Sequence, residues 1–270
     1  MAKKELEEVK DKSLMTGIDF SADAGAGMEG TDKESFAIPF LRVIQSNSPQ
    51  VTRNDALYME AAKPGMLLNT VTNELIDGDE GTIFLPSSFQ RRFVRWAPRG
   101  DSAGYKGEML PEDFAVQRGS ADLPITELDG KLYVTAEPVP DPKKHDQMVD
   151  TRNHFGILIS DAGASQVLLS LSSSQIKKSK QLMSLLSAVK VETPKGLQTP
   201  PTWMNKIRIK TVPESNDQGS WFGVKVESEG FITDAGLYAM GKDFHETVAA
   251  GEARVNYNES SEAKETDGKF

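Results

Sequence analysis

Between Phe89 and Lys106 lie five basic residues (Arg91, Arg92, Arg95, Arg99, Lys106), one acid (Asp101) and four aromatics (Phe89, Phe93, Trp96, Tyr105). Guanidinium groups pair with phosphates and aromatic rings stack on bases, the latter at about 1–3 kcal/mol per base, so this interleaving suits an unpaired strand of nucleic acid. In an extended chain Phe89, Arg91, Phe93 and Arg95 share one face, and Arg92, Val94 and Trp96 the other. Neither face is purely apolar, which weakens the plainer reading of a strand with one core face and one solvated face.

A second group runs from Leu171 to Lys210, where eight basic residues, among them Lys177, Lys178, Lys206, Arg208 and Lys210, meet a single acid, Glu192. Lys206, Arg208 and Lys210 alternate with Ile207 and Ile209. Their charges therefore repeat every ~6.6 Å along a strand, comparable to the phosphate spacing of a nucleic-acid backbone. Trp221 and Lys225 join that face if the segment after it returns as a hairpin. A solvated basic sheet face is the alternative.

Catalytic motifs are mostly absent. The chain has no Walker loop, no Gly-x-Gly-x-x-Gly after a strand, no Gly-x-Ser-x-Gly elbow, no His-Glu-x-x-His and no EF-hand loop. His145, His154 and His245 stand apart from any second ligand at metal spacing, and each reads as a solvated or core histidine. Asp77-Gly-Asp-Glu80 has the carboxylates that a two-metal nuclease needs, but its spacing is that of a Gly-flanked turn. The expectation is a protein that is not an enzyme, with no metal and no cofactor.

Composition narrows the classes further. Among 270 residues there is no cysteine, which removes disulfide scaffolds, thiolate zinc sites, iron–sulfur clusters and cysteine nucleophiles, and points to an intracellular protein. Neither the charged first twelve residues nor any later stretch offers the apolar run of a secretory signal or a membrane span. A net charge of −9 argues against a general polyanion binder unless the basic groups are gathered on one face.

The elements that must position these residues can be read coarsely. Residues 1–35 read as a flexible leader, 36–250 as one folded domain and 251–270 as an acidic flexible tail. Short apolar runs at 65–70, 74–76 and 81–89, separated by tight turns, predict a meander. Residues 98–150, rich in Gly, Pro and charge, predict a long excursion with at most one strand, near Leu132 to Thr135. Segments 154–159 and 166–171 flank Ser160-Asp-Ala-Gly-Ala-Ser165, a hairpin with Gly163 at the positive-φ position.

A helix is expected from Ser172 to about Val189, with Ile176, Met183, Leu186 and Val189 on its apolar stripe, Leu182 and Leu185 at the edge, and Lys177, Lys178 and Lys180 outside it. Strands 204–211 and 221–226, joined by a turn over Pro213 to Gly219, predict an antiparallel pair, and a last helix fits Ala235 to Ala250. The pattern as a whole supports an α+β class with a β-rich core and two flanking helices. The tail carries Glu259, Glu262, Glu265 and Asp267 against Lys264 and Lys269 and ends in Phe270. Such a tail can lie in the protein's own basic groove and offer Phe270, with Asp267 and Glu265, to a partner's pocket.

The stretches Phe36-Ala-Ile-Pro-Phe-Leu-Arg-Val-Ile-Gln-Ser-Asn-Ser-Pro-Gln50, Pro64-Gly-Met-Leu-Leu-Asn-Thr70, Gln90-Arg-Arg-Phe-Val-Arg-Trp96, Ser172 to Ser179 and Thr211 to Phe222 resemble a family of tailed-bacteriophage early proteins from replication gene clusters, described as single-stranded DNA-binding proteins. The likeness covers most of residues 36 to 250, and the tail is similar to those of phage and bacterial single-strand binders, diluted here by two lysines. The resemblance implies an OB-like antiparallel β-barrel core. It also implies coating of single strands in phage replication and recombination in the host bacterial cytoplasm, with contacts to a phage DNA polymerase, a primase–helicase or host RNA polymerase. No membrane is expected, and a homo-oligomer is compatible with the chain.

On this reading Arg91, Arg92, Arg95, Arg99, Lys177, Lys178, Lys206, Arg208, Lys210 and Lys225 follow phosphates, and Phe93, Trp96 and Trp221 stack on bases. The rival reading is a non-enzymatic phage structural or host-takeover interaction protein.

Overall fold

Two long strands organise the molecule: β4 (Thr82–Trp96) and β8 (Gln147–Ser160) pair antiparallel along almost their whole length. The computed structural model describes residues 26–31, 37–98, 104–217, 219–253 and 255–257. It divides into two compact units, 1–36 and 37–270, and the elements below belong to the second.

Each long strand has different neighbours along its two halves. The first half of β4 pairs with β12 (Asn205–Asn216), which in turn pairs with β13 (Gly219–Phe231). The second half pairs with β5 (Tyr105–Met109). On its other side β8 takes β7 (Lys131–Val134) at its start, followed outward by β6 (Ile125–Leu128), and β9 (Gly163–Ser172) over the rest. Residues 98–150 are thus not a loop with one strand. They carry three strands, the start of β8 and a helix, α1 (Pro111–Gln117), whose Phe114 stacks on Phe93 with ring centroids 3.9 Å apart.

The central strands are buried on both faces, which explains their near-continuous apolar runs. On one face Phe84, Leu158, Leu169, Ile207, Ile209, Val224 and Val226 pack against Leu182 and Leu186 of α2 (Ile176–Ala188). On the other, Leu85, Phe155, Ile157 and Leu168 pack against Phe244 and Val248 of α3 (Ala235–Ala249). A fully buried Phe such as Phe155 or Phe244 contributes roughly 2–3 kcal/mol. Helix α3 begins where Asp234 accepts from the Leu237 amide at 2.8 Å.

The centre of the buried stripe of α2 is Ser179, Leu182 and Leu186, rotated from the expected Ile176, Met183 and Val189, because Ser179 faces buried His154. Three α-helices, not two, accompany the sheets among the described residues.

The hairpin of β8 and β9 has Gly163 at φ 116°. At Gly156 a Cβ would lie 2.4 Å from the Leu85 carbonyl oxygen and against the Phe84 ring, so only glycine allows this close pairing. The β12–β13 hairpin is longer than expected. Its ladder runs through Pro213 to Asn216 opposite Gly219, since β12 pairs with β4 only over Ile207–Ile209 and Pro213 lies beyond that ladder.

Three further strands, β1 (Leu41–Val43), β2 (Leu67–Asn69) and β3 (Leu75–Ile76), form a separate small sheet. The expected meander is therefore broken after β3. A hairpin of β10 (Val191–Thr193) and β11 (Gly196–Gln198) follows α2.

The fold is β-rich α+β with antiparallel sheets, but it is not a closed barrel. β9 and β13 do not pair. Between them runs the segment Phe40 to Gln45, tied to β9 by one bridge and the Leu168 amide bonding to the Pro39 carbonyl at 2.8 Å, and to β13 through the Gln45 side chain. This leaves a seam where an OB-like barrel would have a ladder.

Candidate nucleic-acid interface

The arginines of β4 are positioned by strand alternation, and each meets an acid that is distant in sequence. Arg91 donates through Nε and Nη2 to the two oxygens of Asp150 at 2.9 and 2.7 Å, and this pairing raises the guanidinium pKa further. Arg92 lies 3.5 Å from Glu108. Arg95 and Lys106 share the buried carboxylate of Asp146 at 2.6 and 2.8 Å.

Phe93 and Trp96, expected to stack on bases, are core residues instead, 7% and 6% exposed. Phe93 is covered by Phe114, and Trp96 lies against Tyr105 and Tyr257. Arg99, Glu265, Asp267 and Phe270 lie outside the described residues.

On β12, Lys206, Arg208 and Lys210 do share one half-buried face. Its charge is compensated by β13, which the count over residues 171–210 could not include. Arg208 chelates Glu229 and also donates to the Glu80 carbonyl at 3.2 Å. Glu227 receives Lys225 at 2.7 Å and Lys210 at 3.7 Å. Both carboxyls sit below the usual range, Glu227 through the Lys225 hydrogen bond and Glu229 through that of Arg208, with Lys206 adding its charge at Glu229. Of the row expected to track phosphates, Arg208 and Lys210 are thus already paired with acids of β13.

Lys177 and Lys178 reach Glu214 at 3.8 and 3.0 Å, and Trp221 Nε1 donates to the same carboxylate at 3.0 Å. Burial pushes the Glu214 carboxyl up, but the bonds from Lys178, Gln175 and Trp221 outweigh it and hold it low.

His154 and the acidic turn follow the plainer readings. His154 Nε2 sits 2.8 Å from Ser179 Oγ, both buried. Asp77 Oδ1 accepts from the amides of Asp79 and Glu80 at 2.8 and 3.1 Å, an Asx turn. Among the described residues no three His, Asp or Glu side chains gather as a metal site, and no helix is long and apolar enough to cross a membrane.

What the structure does bring together is a groove of about 200 Å³ along the seam. One wall is Phe40 to Val43 with Gln45, a second is Ser170 to Gln175, and the third is Trp221, Phe222 and Val224. Five serines line it, Ser173 in the left-handed region at φ 52°, where the chain turns from β9 into α2. Arg42 and half-buried Trp221 add a cation and an aromatic face, and exposed Lys177 is the second residue of α2.

At the far end Asn153 is clamped: its oxygen accepts from Ser170 Oγ at 2.9 Å and its Nδ2 donates to the Tyr257 hydroxyl at 2.6 Å. Sequence reasoning placed Trp221 and Lys177 in the interface. It missed Arg42, Asn153, Ser170 to Ser174 and Tyr257, whose only visible signal was the serine run before the helix.

In comparison with known proteins, the model of a family described as Pam3 phage gp34-like protein fits residues 9–254. Neither a curated protein nor a solved structure matches the chain.

Proposed function

The chain belongs to the Pam3 phage gp34-like protein family, and from that premise we propose that it binds single-stranded DNA with little regard to base sequence, protecting and organising strands during phage DNA replication and recombination in the host cytoplasm. The observation that carries this reading is the seam groove. It is open, and it combines the aromatic faces of Trp221 and Phe222 with hydroxyls, Arg42 and the nearby Lys177. Rings supply sequence-tolerant stacking, while hydroxyls and cations take phosphates. In this reading the basic residues of β4 and β12 act as a compensated surround, and Trp221 is the stacking residue retained from the sequence. The acidic tail serves partner contacts.

The test is tryptophan fluorescence during titration with a roughly 30-nucleotide single strand and the matching duplex at two salt concentrations, because stacking quenches indole and phosphate contacts weaken with salt. The expected result is salt-sensitive quenching by the single strand and little by the duplex. Absence of binding to either at low salt sinks the reading.

The pairing of Arg91, Arg92, Arg95 and Arg208 with acids favours a second reading, a non-enzymatic structural or host-directed interaction protein. It predicts partner capture with no response to DNA.

A further inference from the structure

Tyr257 is 3% exposed although it belongs to no helix or strand. Its ring stacks on Tyr105 with centroids 5.1 Å apart and planes 21° apart, meets Trp96 edge-on at 6.2 Å and lies 6.2 Å from Phe40. The hydroxyl accepts from Asn153 Nδ2 at 2.6 Å, and the Glu108 carboxylate is near enough to act on it electrostatically. Asn153 is itself 1% exposed and its oxygen is held by Ser170, so its amide group is fixed with the donor end toward the ring. Phe40, Trp96, Ser170 and Tyr257 are also walls of the seam groove, so this pocket and the groove are one continuous space.

Three aromatic rings around a planar six-membered ring, with a fixed amide donor and a nearby carboxylate at its polar end, satisfy both needs of a nucleobase: a stacking face and a hydrogen-bonding edge. We propose that this pocket is a nucleobase site of the seam groove and that Tyr257 is its resident stand-in, displaced when a base enters. The occupant is a base of the single strand assigned above, and the inference rests on that reading. Tyr257 is suited to leaving because the sheet hydrogen bonds do not pass through it: its departure uncovers the pocket and leaves the β4–β8 ladder intact.

The test uses the full chain, its Tyr257→Ala variant and its Tyr257→Phe variant, with two probes: free 2-aminopurine deoxyriboside and a single strand carrying one 2-aminopurine. If the pocket is occupied at least about four-fifths of the time in the free protein, removing the occupant raises apparent strand affinity by at least about fivefold. The expected results are quenching of the free nucleoside by Tyr257→Ala and not by the unaltered chain, and tighter, more strongly quenched strand binding by the same variant. Tyr257→Phe, which keeps the ring and loses the hydrogen bond from Asn153, should give a smaller gain of the same sign. In the unaltered chain, hydrogen exchange at residues 255–257 should rise when the strand is added.

Strand affinity that is unchanged or lower in both variants, with no nucleoside uptake, overturns the proposal. So does continued protection of 255–257 in the DNA complex. Nucleoside binding by Tyr257→Ala without strand binding by any of the three proteins supports the base pocket and overturns the single-strand reading.

Discussion

Gln45 makes to Phe222 both hydrogen bonds that a neighbouring strand would make: its amide nitrogen donates to the Phe222 carbonyl at 2.9 Å and its side-chain oxygen accepts from the Phe222 amide at 2.8 Å. Two residues on, Gln175 repeats half of the device, accepting from the Val224 amide at 2.9 Å while its nitrogen reaches Glu214. The free edge of β13 is thus closed by side chains where a barrel would close it with backbone. That substitution leaves the seam open as a groove and removes an edge that would otherwise invite pairing with another chain.

Gln45→Ala is expected to lower stability by about 1–3 kcal/mol, the cost of leaving a part-buried amide and carbonyl unpaired. Denaturant unfolding measures this, and light scattering should show the variant associating at concentrations where the unaltered chain does not. A variant of unchanged stability would falsify the edge-capping role.

Burial holds the His154 imidazole down to about 4, with the charge of Arg152 adding to the effect, so the folded protein keeps it neutral where the unfolded chain, near 6.5, takes up a proton. Between those values the unfolded state binds more protons, so stability falls as pH drops from 6.5 toward 4. The loss is on the order of 3 kcal/mol for this group alone. Above pH 6.5 its contribution is constant. Unfolding midpoints at a series of pH values should show one proton's slope in this window, and His154→Gln should remove it.

If strands lie in the seam, Arg91→Ala changes single-strand affinity by less than about twofold, because Arg91 is a partly exposed ion pair with Asp150 outside the groove. Arg42→Ala and Lys177→Ala should each weaken binding at every sequence tested and flatten the salt dependence by about 0.7 in log–log slope. The opposite ranking would return the interface to β4.

Trp221→Ala should cost about 1–3 kcal/mol of strand affinity and abolish most of the fluorescence change. Trp203→Phe should leave the affinity intact, since Trp203 lies against Tyr238 and His245 and does not line the groove. Isothermal titration of both variants separates the two tryptophans.

Local pattern alone specified a good deal. The alternation of Ile207 and Ile209 with Lys206, Arg208 and Lys210, the hairpin at Gly163, the helix starting near Asp234 and the β-rich α+β class are all consequences of periodicity and turn chemistry that act over a few residues. Such rules reach no further than the element. Whether a basic face stays basic depends on what the fold sets beside it, and Asp146, Asp150, Glu227 and Glu229 lie 17 to 59 residues along the chain from Arg95, Arg91, Lys210 and Arg208, which they neutralise.

The same limit hid the burial of Phe93 and Trp96. Their strand reads as half polar, yet α1 from the supposed excursion and Tyr257 from the supposed tail cover them. Closure of the sheet, too, belongs to tertiary structure: it turns on whether β9 and β13 meet, and a glutamine 177 residues before Phe222 supplies the bonds instead. Sequence determined which residues form strands and which faces they present. The tertiary structure decided which of those faces remain available, because burial and charge compensation are properties of pairs of elements and not of any one of them.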